Sequence, residues 1–316
     1  MEKWSTNIAL MLKGMAMGIA EVIPGVSGGT IAFITGIYEK LLNTIKTILG
    51  PDIFRAFKED GFAGAWKKTN GLFLVFLLGG MLVGIVVGVL GVTHLLEHYP
   101  ELLWAFFFGL IIASALYIGQ QVGHWRVSEI ALLILGIAIA YFITVASPAQ
   151  GSDSLFMIFI AGAIAISALI LPGISGSFIL LLMGMYTLII PTVKDALKTF
   201  NTDSLVILGV FGMGCLLGLA TFSRLLSWTF KNYKNQTLAL LTGFMLGSLN
   251  KIWPWRNVLE YRMNSKGEEV PFIEKSVLPH LYEGEPYVLG VICLMVIGFA
   301  SVFLIERLGS RFSKDV

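Results

Sequence analysis

The stretch GLFLVFLLGGMLVGIVVGVLGV, from Gly71 to Val92, contains no charged side chain. A helix needs about 20 such residues to cross the hydrocarbon core of a bilayer. Inside that core every backbone amide must find its partner within the protein, which favours helix over any irregular chain. The run is not isolated. Apolar segments recur at Trp4–Ile23, Thr30–Leu49, Leu102–Gly119, Ile130–Ala146, Leu155–Leu171, Phe178–Ile190, Leu205–Trp228, Thr237–Leu249 and Tyr287–Ile305. Of the 316 residues 56% are hydrophobic and 13% charged, against roughly 25% charged in a soluble domain. The fold class is therefore an all-α polytopic membrane protein. The net charge of +2 gives no reason to expect nucleic acid as a partner; the lipid bilayer is the expected one.

Two apolar segments are interrupted by the same punctuation. VIPGVSGGTIAFITGIYEK begins at Val22, and LILPGISGSFILLLMGMYTL begins at Leu169. Aligning Pro24 with Pro172 also pairs Gly25 with Gly173, Ser27 with Ser175, Gly28 with Gly176, Ile31 with Ile179, Gly36 with Gly184 and Tyr38 with Tyr186. Downstream, Gly79–Gly84 matches Met213–Gly218, and Ala105, Gly109 and Ser114 match Ala239, Gly243 and Ser248. The chain reads as an internal repeat, with halves at residues 1–150 and 151–316. Each half holds a broken or re-entrant helix pair followed by three transmembrane helices. The pair crosses either zero times or twice, so each half crosses an odd number of times. That makes the two repeats inverted in topology.

Loop charge gives the orientation, because cytoplasmic loops are rich in Lys and Arg. Residues 40–70 carry Lys40, Lys46, Arg55, Lys58, Lys67 and Lys68 and are expected inside. The loops 93–101 and 147–154 carry neither residue and are expected outside. Residues 224–236 and the end of the chain, with Arg307, Arg311 and Lys314, are expected inside. This gives N-in and C-in. The loop 250–286 is the exception: it is expected outside, yet has five basic and six acidic residues. The N-terminal segment does not read as a cleavable signal peptide, because Lys13 interrupts it and a Pro-Gly break follows.

The breaks have a readable chemistry. Pro24 ends one arm, and Gly25, Gly28 and Gly29 let the backbone turn and let a ligand approach closely. Ser27 and Thr30 offer hydroxyls as helix caps or as ligand donors. Free N–H groups and a positive dipole at the start of the next helix suit an anion. Ser175, Gly176 and Ser177 repeat the device. An ionisable residue inside a membrane helix is a functional candidate. Glu21, close to Pro24, is the strongest, as a carrier of a coupling proton, a ligand for Na+, or a partner for Lys13. Lys13 suits a phosphate or a snorkelling contact with the surface. Glu39 reads as a second coupling candidate or a solvated helix end. Arg224 reads as a phosphate contact or a cytoplasmic anchor. His94, His98, His124 and His280 lack metal-ligand spacing, Cys215 and Cys293 read as buried apolar residues, and the reading calls for no cofactor or metal. Gly80-x-x-x-Gly84-x-x-x-Gly88 and Gly214-x-x-x-Gly218 read as close helix packing.

KGMAMGIAEVIPGVSGGTIAFITGIYEKL, from Lys13 to Leu41, resembles the signature of the PopT family of bacterial polyprenyl-phosphate transporters. The second motif, LPGISGSFILLLMGMY, stands in its expected place. The resemblance implies a flippase that returns undecaprenyl phosphate from the outer to the inner leaflet of the bacterial cytoplasmic membrane for cell-wall synthesis. Coupling to a proton or Na+ gradient is expected, with Ser27–Thr30 and Ser175–Ser177 holding the phosphate. Two rivals are a small-anion transporter or channel, and a prenyl-pyrophosphate phosphatase. The second would need an Arg beside the serine to stabilise phosphoryl charge, and none follows Ser27 or Ser175.

Overall fold

A computed structural model describes residues 2–23, 26–146, 149, 151–152, 154–263 and 269–313. Pro24, Gly25 and Lys314 lie outside the described residues. The chain is almost entirely helical: α1 Glu2–Val22, α2 Gly28–Ile34, α3 Tyr38–Ile48, α4 Pro51–Lys68, α5 Gly71–His98, α6 Pro100–Gln120 and α7 Val127–Val145. These are followed by α8 Leu155–Ile170, α9 Gly176–Leu182, α10 Tyr186–Thr199, α11 Thr202–Asn232, α12 Lys234–Ser248 and α13 Val288–Ser313. Among the described residues α5, α6, α7 and α11 hold spans long and apolar enough to cross a membrane, and α9 with α10 make a further pair bent by 119°. Leu72, Leu82, Val86 and Leu90 on α5 are exposed, as a helix surface must be when lipid is its solvent. This is a multi-pass membrane protein.

Three sequence expectations need correction. The arm Thr30–Leu49 is not continuous: Gly36 turns the chain at φ 72° and separates α2 from α3. Gly184 does the same at φ 69° between α9 and α10. Only glycine takes this left-handed conformation without strain, which accounts for Gly36 and Gly184 recurring two residues before Tyr38 and Tyr186. Residues 40–70, expected as a loop, are mostly α3 and α4. Residues 250–286, expected as an outer loop, contain an antiparallel hairpin of β1 (Arg256–Met263) and β2 (Glu269–Ser276), with Arg256 opposite Ser276.

The glycine stripes set the helix pairing. A Cβ at Gly80 or Gly84 on α5 would strike the carbonyl of Met11 or Met15 on α1. A Cβ at Gly214 or Gly218 on α11 would strike that of Phe159 or Ala163 on α8. The partners obey the same alignment that pairs Pro24 with Pro172. The remaining helices exchange partners between halves. Gly109 on α6 meets Met295 on α13, and its counterpart Gly243 on α12 meets Leu133 on α7. Close backbone approach of this kind is how helices associate where lipid removes the hydrophobic drive.

Gly84→Leu and Gly218→Leu are each expected to lower the unfolding free energy by about 1–3 kcal/mol through overpacking. Gly79 meets nothing within 4 Å, so Gly79→Leu is expected to leave it unchanged. Detergent-titrated unfolding checks this, and three equal midpoints would contradict the pairing.

Candidate functional site

The first break is a hairpin. Gly28 N–H, at the start of α2, donates to Glu21 Oε1 of α1 at 2.7 Å. Lys13 Nζ of α1 donates to the Thr35 carbonyl, at the end of α2, at 2.8 Å. Helix α2 therefore runs back along α1. The geometry fits: eight residues of α1 span roughly 12 Å and seven of α2 about 10 Å. Carboxylate meets the positive end of α2 and ammonium the negative end, as the dipole prefers. Lys13 and Glu21 thus bracket α2 from its two ends, and the ion pair left open by the sequence is replaced by these two contacts. The same return is seen in the second half. A Cβ at Gly28 would meet the Met17 carbonyl and the Glu21 side chain, and one at Gly176 would meet the aligned Ala165 carbonyl and Leu169 side chain.

The two breaks touch. Ser27 caps α2, accepting from Gly29 N–H at 3.1 Å, and donates across to the Leu169 carbonyl at 3.2 Å. Thr30 Oγ1 accepts from Gly173 N–H at 3.1 Å. Tyr38 OH donates to the Ile170 carbonyl at 2.9 Å. Ser27 and Thr30 are wholly buried, and Gly28 and Gly29 are buried with them. The structure thus brings Ser27, Gly28, Gly29 and Thr30 against the end of α8, with the Ser27 hydroxyl and the Gly28 and Gly29 amides engaged inside the protein. In the second break Ser175 caps α9, accepting from Phe178 N–H, and its hydroxyl lies 2.9 Å from that of Ser177. Gly176 is buried in the first turn of α9.

The other sequence candidates lie apart from this contact. Glu39 opens α3 and pairs with Lys234 at 3.4 Å, both side chains being more than half exposed. Arg224 on α11 donates to the Ala220 carbonyl at 2.7 Å and to the Leu49 carbonyl at 2.5 Å, tying α11 to the end of α3. Between α3 and α11 is a pocket of about 280 Å³, lined by Glu39, Leu42, Asn43, Lys46, Ser227, Phe230 and Lys231. It has a polar, lysine-bearing rim over apolar Leu42 and Phe230.

Sequence reasoning missed a group on the β-hairpin. Lys251 Nζ lies 3.5 Å and Arg256 Nη2 3.4 Å from the same Glu274 Oε2. Lys251 Nζ also sits 4.6 Å above the Phe178 ring, next in sequence to Ser177. Burial first, and then the neighbouring Arg256 charge, push the Lys251 ammonium down to about 8. The hairpin segment is tied to itself by its tryptophans and to α6 by Tyr282. Trp253 and Trp255 donate to the carbonyls of Val277 and Pro286, each at 2.8 Å, and Tyr282 OH donates to buried Glu101 of α6. The signal was the basic charge in residues 250–286, which breaks the loop-charge pattern.

A contact between two broken helix pairs, with hydroxyls and amides at its centre, is a layout that secondary transporters use. A family model described as undecaprenyl phosphate translocase-like matches residues 17–270. The chain is 46% identical over 281 residues to the polyprenyl-phosphate transporter of Vibrio cholerae, covering 89% of each chain. It is 32% identical over 259 residues to the polyprenyl-phosphate transporter of Staphylococcus aureus, covering 77% of this chain and 85% of that one. No solved structure matches. The chain belongs to the undecaprenyl phosphate translocase-like family.

Tyr38→Phe removes one hydrogen bond between the breaks and is expected to cost about 0.5–1.5 kcal/mol. Unfolding measurements on the reconstituted protein check this. An unchanged stability would contradict the Tyr38 contact with Ile170.

Proposed function

We propose that this chain carries polyprenyl phosphate, undecaprenyl phosphate in particular, from the outer to the inner leaflet of the bacterial cytoplasmic membrane. The observation that carries this reading is the 46% identity over 89% of the chain to a polyprenyl-phosphate transporter. The substrate is a phosphate monoester on a long apolar tail. A carrier for it needs anion-binding groups at depth and a side open to lipid for the tail. The paired breaks supply the first. Inverted halves, residues 1–150 and 151–316, with α1–α2 re-entrant from the cytoplasm and α8–α9 from outside, supply alternating access. Loop charge supports N-in and C-in.

In the closed arrangement Ser27 donates to the Leu169 carbonyl and the Gly173 amide donates to Thr30 across the two breaks. Separation of the breaks frees these groups, and a phosphate takes their place. Glu21 is the coupling group. Its carboxylate accepts from Gly28 N–H, and a proton or Na+ on that carboxylate weakens this contact and releases the start of α2. Glu39, exposed and paired with Lys234, fits a solvated helix end better than a coupling role. Arg224 fits an anchor, and Lys13 a cap on α2. The pocket between α3 and α11 suits an exit for the headgroup at the cytoplasmic end. The chain is read as a transporter and not an enzyme, since neither break motif carries an Arg or a His next in sequence to its serines.

Reconstitution in liposomes with undecaprenyl phosphate, followed leaflet by leaflet under proton or Na+ gradients, tests the reading. Protein-dependent movement is expected, with Ser27→Ala and Glu21→Gln each slowing it by at least about tenfold, the scale of a lost charge-assisted contact. Phosphate released from a prenyl pyrophosphate would favour a phosphatase instead. Movement of free anions without the lipid would favour a small-anion transporter.

A further inference from the structure

The buried cluster at the base of the β-hairpin sets two cations against one carboxylate. Lys251 and Arg256 have side chains only 15% and 8% exposed, and both lean on the one carboxylate of Glu274, itself 25% exposed. Arg256 Nη1 donates to the Lys251 carbonyl, while its buried Nε has no hydrogen-bond partner among the described residues. A buried guanidinium with an unmatched donor is costly and calls for an acceptor. Glu274 reaches both cations through a single oxygen, Oε2, and neither contact is the two-pronged pairing that a guanidinium and a carboxylate favour. The cluster is held in place. Just before β1, Trp253 and Trp255 donate to the carbonyls of Val277 and Pro286, Ser276 Oγ reaches the Asn250 carbonyl at 3.3 Å, and Asn250 Nδ2 donates to Thr144 of α7 at 2.8 Å. Lys251 over the Phe178 ring places the cluster at the first turn of α9.

We propose that Lys251 and Arg256 form a receiving site for a phosphate monoester beside the second break, with Glu274 as the resident carboxylate that the phosphate displaces. Charge and geometry agree. A phosphate monoester carries about −1.5 to −2 at neutral pH, which matches two cations once Glu274 has swung out to water. Its three oxygens meet a guanidinium fork and an ammonium together, and one carboxylate oxygen does not. The Phe178 ring below Lys251 gives an apolar approach for the tail. From this site the headgroup is one residue from Ser177 and the hydroxyls of the second break. The inference rests on the transport reading and adds the place where the headgroup is first taken up.

The test measures binding separately from transport. Full-length protein in phosphatidylcholine nanodiscs is titrated with farnesyl phosphate, with farnesol, which has the same tail and no phosphate, and with inorganic phosphate as competitor. Arg256→Gln and Lys251→Gln are expected to weaken farnesyl phosphate binding by at least about tenfold each, the scale of a lost buried charge contact. Farnesol binding is expected to stay unchanged, and the melting temperature reports whether each variant is folded. Glu274→Gln removes the competing carboxylate and is expected to tighten binding several-fold, a gain that misfolding cannot mimic. Inorganic phosphate is expected to compete on the wild type and not on Arg256→Gln. Wild-type affinity in folded Arg256→Gln and Lys251→Gln, or weaker binding in Glu274→Gln, would overturn the receiving site. If lipid transport persists in that case, only this site fails; if the wild type neither binds nor moves prenyl phosphate, the transport reading fails with it.

Discussion

A helix that stops inside a bilayer strands its last carbonyls and the next helix's first amides where no water can reach them. The rest of this structure is arranged around that constraint. The carbonyls of Leu169 and Ile170, at the end of α8, are met by the hydroxyls of Ser27 and Tyr38 from the other half of the chain. The Gly173 amide is met by Thr30. The first break thus supplies partners for the backbone at the end of α8, while its own Gly28 and Gly29 amides are met by Glu21 and Ser27. The glycine stripes follow from the same need, because the hairpins approach only if α1 and α5, and α8 and α11, lie with their backbones in contact.

The halves solve the problem of charge differently. The first builds it into the hairpin, with Glu21 and Lys13 at opposite ends of α2. The second has Leu169 and Ala161 at those positions, and its charges arrive from the β-hairpin as Lys251 and Arg256. In the proposed cycle this difference gives transport its direction, with the phosphate drawn to the second break and the coupling cation to Glu21.

Much of this was legible in the sequence because lipid makes hydropathy and backbone satisfaction nearly decisive. The apolar runs from Trp4 to Ile305 are helical, two of them interrupted by turns at Gly36 and Gly184, and the Pro-Gly-x-Ser-Gly punctuation marked where the helices break. The Gly80 and Gly214 stripes marked α5 and α11 as close-packed helices, though not their partners α1 and α8. The contact between the breaks is less accessible: that Tyr38 reaches Ile170 is a tertiary fact carried by no local pattern. The turn at Gly36 was present as a repeated Gly-x-Tyr, yet apolar residues on both sides hid it within one long arm. The hairpin was missed because a loop rich in both charges looks solvated, and nothing local says that Lys251 and Arg256 are the buried members.

Amide exchange at the two breaks tests the central claim most directly. Hydrogen–deuterium exchange of Gly28, Gly29 and Gly173 is measured in proteoliposomes at rest and while a gradient drives undecaprenyl phosphate across. Slow exchange at rest and faster exchange in both breaks together during transport is the result this account expects. Transport that proceeds while all three amides keep their resting protection would contradict it.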